Sequence, residues 1–313
     1  MNMETVLSII VPCMNEERSL DTLCKQLFEV LSEIEGAHEV IFVDDGSTDG
    51  TVSEVKRLSR THPGIRLIEF SRNFGKEAAL SAGLDAANGE ASILMDADLQ
   101  HPPKFILELY QAWRDGGEIV YGVRTDRSSD GFVRRQLSNA FYKMLRYLGE
   151  TPIPENAGDY RLIDRKAVDA IKEIRERNRF MKGIYTWVGF RTIALPLNIS
   201  KRIHGESAFS FRKLFDFALD GVTAFSNKPL RVAGYTGALV AVLAVVYGLF
   251  EAARTLIFGV EVPGFTTIIV AVTLLGGIQM IFLGVIGEYI GRVYTEVKGR
   301  PIYIIRKSSE FDE

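Results

Sequence analysis

Asn15-Glu16, Asp44-Asp45, Ser71-Arg72-Asn73, Asp96-Ala97-Asp98 and Arg124 are polar clusters that each follow closely on an apolar run. The richest continues as Asp96-Ala97-Asp98-Leu99-Gln100. In extended backbone residues i and i+2 share a face, so Asp96, Asp98 and Gln100 are expected to aim their oxygens at one spot. Hard oxygen donors suit Mg²⁺ or Mn²⁺, above all where the metal also holds substrate phosphates. A turn capping the next helix would use the same residues, because Pro102 and Pro103 follow at once.

Such clusters act together only if a scaffold gathers them. Val6 to Val11 is a continuous apolar run, as in a strand covered on both faces. Leu20, Leu23, Leu27, Val30, Leu31 and Ile34 then recur at helical spacing. Glu39 to Val43 reads as a second strand, Thr51 to Arg60 as a helix and Ile65 to Phe70 as a third strand. Gly75 to Ala87 reads as an Ala-rich helix stopped by Asn88-Gly89. The apolar run before Asp96, a helix over Pro103 to Asp115 and a strand over Glu118 to Val123 complete the series. This alternation predicts an α/β fold with a mostly parallel, doubly wound sheet. Open sheets of this kind bind ligands beyond their strand ends, so the polar clusters are expected to form one rim. Carboxylates there would serve ribose hydroxyls and a metal, and cations would serve phosphates. Any one cluster alone is also what a simple turn requires.

Several classes are disfavoured. There is no Gly-x-x-x-x-Gly-Lys-Ser/Thr loop, and no Gly-x-Gly-x-x-Gly follows the first strand. A diphosphate would therefore be neutralised by metal at Asp96 and Asp98 and by side chains such as Arg72, Lys76 or Arg124. The net charge of −3 gives no support for nucleic acid as the main partner. With 2 cysteines and 4 scattered histidines, neither a disulfide framework nor a zinc hydrolase is indicated.

Ile9-Ile10-Val11-Pro12-Cys13-Met14-Asn15-Glu16, Val43-Asp44-Asp45-Gly46-Ser47-Thr48-Asp49, Ser71-Arg72-Asn73-Phe74-Gly75-Lys76 and Met95-Asp96-Ala97-Asp98-Leu99-Gln100-His101-Pro102-Pro103 together resemble family 2 glycosyltransferases. More narrowly, the chain is similar to the polyisoprenyl-phosphate glycosyltransferases, the group of dolichyl-phosphate mannose synthases and bactoprenol glucosyltransferases. The likeness extends through Gly158-Asp159-Tyr160-Arg161-Leu162 and into the hydrophobic C-terminal part. It implies the GT-A, nucleotide-diphospho-sugar transferase fold. It also implies that Pro12, Glu16 and Asp45 hold the base and ribose, that Asp96, Asp98 and Gln100 form the metal site, and that Arg124 lies near the diphosphate. Met14, Lys76, Asp96 and Ala97 complete the expected nucleotide-binding set; Met14 departs from the aromatic common in relatives. Asp159, with Asp98, is the expected catalytic residue, either as a base or as a group that positions the acceptor.

Between Arg124 and Leu148 the chain is basic, with Arg127, Arg134, Arg135, Lys143 and Arg146 interleaved with apolar residues at near-helical intervals. A solvated amphipathic helix would look the same. Arg134 and Arg135 are nevertheless candidates for an acceptor phosphate, since Arg makes bidentate phosphate contacts. The resemblance adds Arg202 and Ser207 to that set, at the end of an alternating stretch from Arg191 to Arg202. Phe209, Phe211, Leu214, Phe215 and Phe217, broken by Arg212 and Lys213, suit a helix lying at a membrane surface or packed on the preceding domain.

Val232 to Phe250 contains no charged residue, and Val262 to Gly287 is a longer apolar stretch. Each is long enough to cross a bilayer. Lys228 and Arg231 precede the first; Arg292, Lys298, Arg300, Arg306 and Lys307 follow the second, so both ends are expected on the cytoplasmic side. The N-terminal residues lack the basic region and cleavage site of a signal peptide. The expected organisation is a catalytic domain over 1–203, juxtamembrane helices over 204–231, two transmembrane helices within 232–290 (about 232–257 and 263–289) and a cytoplasmic tail over 291–313. Ala238, Gly248, Gly276, Gly277, Gly284 and Gly287 would permit close helix approach and a homo-oligomer. Taken with the resemblance, this implies a multi-pass enzyme of the bacterial inner membrane. It would move a hexose, with glucose from UDP-glucose leading, to undecaprenyl phosphate by inversion. Mannose, galactose or a modified arabinose as the sugar, and a non-catalytic nucleotide-binding anchor or flippase component, are the alternatives.

Overall fold

The computed structural model describes residues 5–124, 157–177, 179–197, 228–259 and 264–308. β1 (Thr5–Cys13), β2 (Ala37–Asp44), β3 (Ile65–Phe70) and β4 (Ala91–Leu94) form a parallel block in which β1 lies between β2 and β4. Side chains alternate across this block. Leu7, Ile9 and Val11 pack with α1 (Glu17–Leu31), α2 (Thr51–Ser59) and α4 (Phe105–Arg114), while Ile10 packs on the opposite face. That second layer contains α3 (Lys76–Ala86), α5 (Arg165–Glu173) and α6 (Met181–Trp187). A strand covered on both faces must be apolar throughout, which is why β1 reads as an unbroken run. Gly83 lets α3 lie against β1, since a Cβ there would stand 2.2 Å from Ile10 Cγ2.

The sheet has 8 strands in the order β7-β5-β6-β4-β1-β2-β3-β8 and is parallel in most of its pairings. β6 (Ala157–Asp164) enters antiparallel between β4 and β5 (Ile119–Arg124), pairing Ile93 with Leu162 and Val120 with Leu162. β7 (Thr192–Leu197) lies parallel to β5 at one edge. β8 (Ile305–Ser308) closes the other, antiparallel to β3.

Two long helices follow, α7 (Lys228–Phe258) and α8 (Phe265–Val297), with apolar windows at Leu230–Phe250 and Leu274–Val297. Both extend beyond the limits expected from hydropathy. A helix continues past the end of an apolar stretch where polar side chains support it, as Glu288 and Arg292 do through an i,i+4 ion pair of 2.9 Å. A Cβ at Gly248, Gly276, Gly277, Gly284 or Gly287 would meet nothing within 4 Å, so these glycines do not serve contact between α7 and α8. Within the range expected as a tail, 291–313, α8 runs on to Val297, and the chain then returns to the sheet as β8. On the way Tyr303 stacks on Phe70 with centroids 5.2 Å apart and donates to Asp85 Oδ2 at 2.7 Å. Arg177 pairs with Glu296 at 2.8 Å, which ties α8 directly to the α/β domain.

Candidate active site at the sheet switch point

β2 and β4 leave β1 in opposite directions, so the chain order reverses at β1 and a crevice opens beyond the strand ends. A cavity of about 320 Å³ lies there, lined by Pro12, Cys13, Met14 and Glu16 after β1, Asp45 after β2, Asn73, Gly75, Lys76 and Ala79 around the start of α3, and Asp96, Ala97 and Asp98 after β4. Local bonds hold these ends in place. Asn15 takes a left-handed φ of 58°, donates its backbone N–H to Ser47 Oγ at 2.9 Å and accepts at Oδ1 from Thr48 N at 2.8 Å. Asp45 Oδ1 accepts from Phe74 N at 2.6 Å, and its Oδ2 accepts from Gly75 N at 2.9 Å. Burial raises the Asp45 pKa, against the lowering effect of those two amides. Gly46 has φ 75°, and a Cβ on it would lie 2.7 Å from Asn73 N; only glycine lets the two loops meet here.

Lys76, at the first turn of α3, is the electrostatic centre. Its Nζ lies 2.6 Å from Asp96 Oδ1 and 2.8 Å from Asp159 Oδ2, joining the β4 end to β6. Lys182 Nζ is 4.0 Å from Asp159 Oδ1. Burial works against charge in this cluster, but opposite charges outweigh it: the carboxylates hold the Lys76 ammonium well above its usual pKa, and Lys76 and Lys182 hold Asp159 well below the carboxylate range. The neighbouring Glu77, one residue further along α3, shows the reverse balance. Burial and then the Asp159 charge push it up to about 7. Arg161 braces the start of β6 beside Asp159, donating to Gly158 O at 2.7 Å with its guanidinium 3.9 Å above the Tyr185 ring.

Residues 8–172 match the family described as glycosyl transferase family 2. The chain belongs to glycosyl transferase family 2. Residues 228–293, covering most of α7 and α8, match the GtrB C-terminal hairpin. Among relatives, an uncharacterised glycosyltransferase of Synechocystis is 46% identical over 299 residues, covering 96% of this chain and 94% of that protein. The bactoprenol glucosyl transferase of Shigella phage SfII is 43% identical over 302 residues, 96% of this chain and 98% of its own. A prophage bactoprenol glucosyl transferase homolog of Escherichia coli K12 is 44% identical over 303 residues, with the same coverage of 96% and 98%. A solved glucosyl-3-phosphoglycerate synthase of Mycobacterium tuberculosis aligns with TM-score 0.46 and 18% identity, covering 70% of this chain and 78% of its own.

In this family 2 glycosyltransferase, Pro12, Met14, Glu16, Asp45, Lys76, Asp96, Ala97 and Asp98 meet in one cavity wall. Asp159 is not in that wall but is joined to it through Lys76. Gln100 also lies outside the wall. β4 ends at Leu94 and Leu99 turns left-handed with φ 60°, so the i, i+2 alternation expected over Asp96, Asp98 and Gln100 is broken. The Gln100 backbone N–H donates to Asp98 Oδ1 at 3.1 Å. Arg72 departs as well: its guanidinium lies 4.2 Å above the Phe74 ring and lines a different cavity. Arg124 ends β5 opposite Leu197. Arg134, Arg135, Arg202 and Ser207 lie outside the described residues. Sequence reasoning did not single out Ala79, Glu77 or Lys182. Ala79 is one helical turn from Lys76, a spacing that could have pointed to it; Lys182 carries no such signal.

Among the described residues, no group of three or more His, Cys, Asp or Glu side chains is placed to hold a metal unaided. The oxygens of Asp96 and Asp98 in one wall nevertheless suit a hard divalent cation that completes its shell with diphosphate oxygens and water. The Lys76 ammonium already seated on Asp96 shows that this end of the cavity accepts positive charge.

Proposed function

We propose that this family 2 glycosyltransferase is a membrane-bound, inverting enzyme that moves a hexose, glucose from UDP-glucose in the leading version, to undecaprenyl phosphate. The observation that carries the proposal is a nucleotide-sized cavity lined by Asp45, Asp96 and Asp98 in a chain that also has the α7–α8 hairpin. The names of the phage and prophage relatives support both the sugar and the lipid. Pro12, Met14, Glu16 and Asp45 would receive the base and ribose. Asp96 and Asp98 would hold Mg²⁺ or Mn²⁺, which when bound neutralises charge on the departing nucleoside diphosphate.

Asp159 acts on the other reactant, and Lys76, in the nucleotide wall, is joined to it by an ion pair. A phosphate monoester already carries a nucleophilic oxygen, so Asp159 has little proton to remove and serves to orient the acceptor relative to Lys76. The phosphate oxygen forms a bond to the anomeric carbon from the face opposite the diphosphate. The bond from that carbon to the diphosphate breaks, its electron pair leaves with the nucleotide, and the configuration inverts. Arg124 is proposed to lie near the departing diphosphate, and Arg134, Arg135, Arg202 and Ser207 are the proposed side chains for the acceptor phosphate. The α7–α8 hairpin would place this chemistry at the bacterial inner membrane with the α/β domain on the cytoplasmic side, and its open glycine faces are available to a second copy.

The test is Asp98→Ala in the full-length protein. Loss of sugar transfer from UDP-glucose to undecaprenyl phosphate, with unchanged thermal stability and membrane retention, is expected. Undiminished transfer would remove Asp98 from the mechanism and favour a non-catalytic reading of the cavity.

A further inference from the structure

A second cavity, of about 590 Å³, lies where the end of α8 meets the α/β domain. Its wall contains Arg72, Arg177, Lys298 and Arg300 and no carboxylate. Glu296 neutralises Arg177 at 2.8 Å, which leaves three cationic side chains facing a shared space. Arg300 forms no ion pair among the described residues, and the Lys298 ammonium stands 5.1 Å from the Tyr294 ring. Cations gathered in this way recognise a phosphate group.

The approach to the cavity identifies which kind of phosphate. Ile290, Val293, Tyr294 and Val297 follow one another at i, i+3, i+4 and i+7 on α8 and are 62%, 61%, 63% and 80% exposed. They form an apolar track that ends at the cavity, where Tyr294 is part of the wall. The apolar window Leu274–Val297 ends at the same level. A molecule with acyl chains along the track would bring its phosphate to Lys298 and Arg300; a free phosphate would make no use of the track. Tyrosine and snorkelling lysine at the end of a span are suited to headgroup depth.

The cavity is separate from the nucleotide site. The loop between β3 and α3 divides them: Asn73 and Gly75 line the site at the switch point, whereas Ser71, Arg72 and Phe74 line this one. Asp159, placed on the acceptor side of the reaction, is in neither wall.

We infer that this cavity binds the phosphodiester headgroup of an anionic phospholipid, at a site distinct from those of the two substrates. The inference rests on the membrane reading of α7 and α8. The test is retention of phosphatidylglycerol over phosphatidylcholine when full-length protein is released from mixed nanodiscs and weighed by native mass spectrometry. Its readout is bound lipid, so it succeeds or fails independently of sugar transfer.

Wild-type protein is expected to retain phosphatidylglycerol selectively. The double variant Lys298→Gln/Arg300→Gln is expected to lose about 30-fold of that selectivity, the order expected for two cations removed from an anionic surface. A charge-matched control on and beside α4, Lys104→Gln/Arg114→Gln, should retain it. Equal retention by wild type and the Lys298/Arg300 variant would overturn the inference, as would absence of selectivity in wild type. One-for-one displacement of phosphatidylglycerol by undecaprenyl phosphate would make the cavity the acceptor's own and likewise overturn it. So would displacement by millimolar inorganic phosphate, which would identify a free-anion site.

Discussion

Replacing Lys76 by Gln tests the electrostatic centre of the site. The side chain keeps a hydrogen-bond donor, one bond shorter, but loses the charge that lies 2.6 Å from Asp96 and 2.8 Å from Asp159. Two unit charges about 4 Å apart attract by about 4 kcal/mol at an effective dielectric constant of ~20. Solvent reaches this cluster, since 41% of the Lys76 side chain and 25% of that of Asp159 are accessible. Screening reduces the attraction to about 1–2 kcal/mol, or roughly 5- to 30-fold in kcat/KM if the transition state uses the full interaction. The acid limb of the pH–rate profile should also move up. Asp159 is held below its unfolded pKa of 3.8, so the stability it contributes is present above that value and is lost as pH falls through its lower folded pKa. Without Lys76 the folded pKa rises, so that stabilising contribution shrinks, and the Asp159 carboxylate is protonated at a higher pH in the folded enzyme, which moves the acid limb up. The assay is kcat/KM for sugar transfer against pH, with thermal melting in parallel and Lys76→Arg as the charge-preserving control. A Gln variant with unchanged rate and an unmoved acid limb would refute the reasoning.

Glu77→Gln should flatten the pH dependence of stability between 4.5 and 7: the raised pKa means that the stability tied to Glu77 is complete below 4.5 and is lost as pH rises through about 7. Melting temperatures across that window check it, and a variant with the wild-type slope would contradict it. Tyr303→Ala removes the stack on Phe70 and the bond to Asp85, and should cost about 2–3 kcal/mol in denaturant unfolding of the solubilised protein. A loss within about 0.5 kcal/mol would show that the segment leading to β8 does not brace the domain. Chelation of divalent cations should abolish transfer and Mg²⁺ or Mn²⁺ should restore it; full activity in chelator would remove the proposed role of Asp96 and Asp98 as ligands.

The sequence exposes the parallel block and its rim for a physical reason. Strands β1 and β2 are covered on both faces and must be apolar throughout, so their ends are marked where Pro12 to Glu16 and Asp44-Asp45 begin. The hairpin helices are equally plain because each carries a long apolar window, of the length a bilayer span would require. β6 is harder to see. Gly158-Asp159 resembles a turn, and the insertion of β6 between β4 and β5 depends on non-local pairing that leaves no local pattern. β8 is only Ile305–Ser308, an exposed and partly charged stretch held by backbone bonds to the edge of β3. The left-handed Leu99 removes Gln100 from the expected face, and no spacing rule reports a single backbone reversal. The Lys76 bridge is legible only in three dimensions, because its partners lie 20 and 83 positions away in the chain.

The central claim is most directly tested by the mass of the lipid product. Purified full-length protein is incubated with Mg²⁺, undecaprenyl phosphate and, separately, each of a panel of nucleotide sugars. The account predicts undecaprenyl phosphate heavier by one hexosyl residue, formed fastest from UDP-glucose. A lipid whose mass is unchanged with every donor would contradict it.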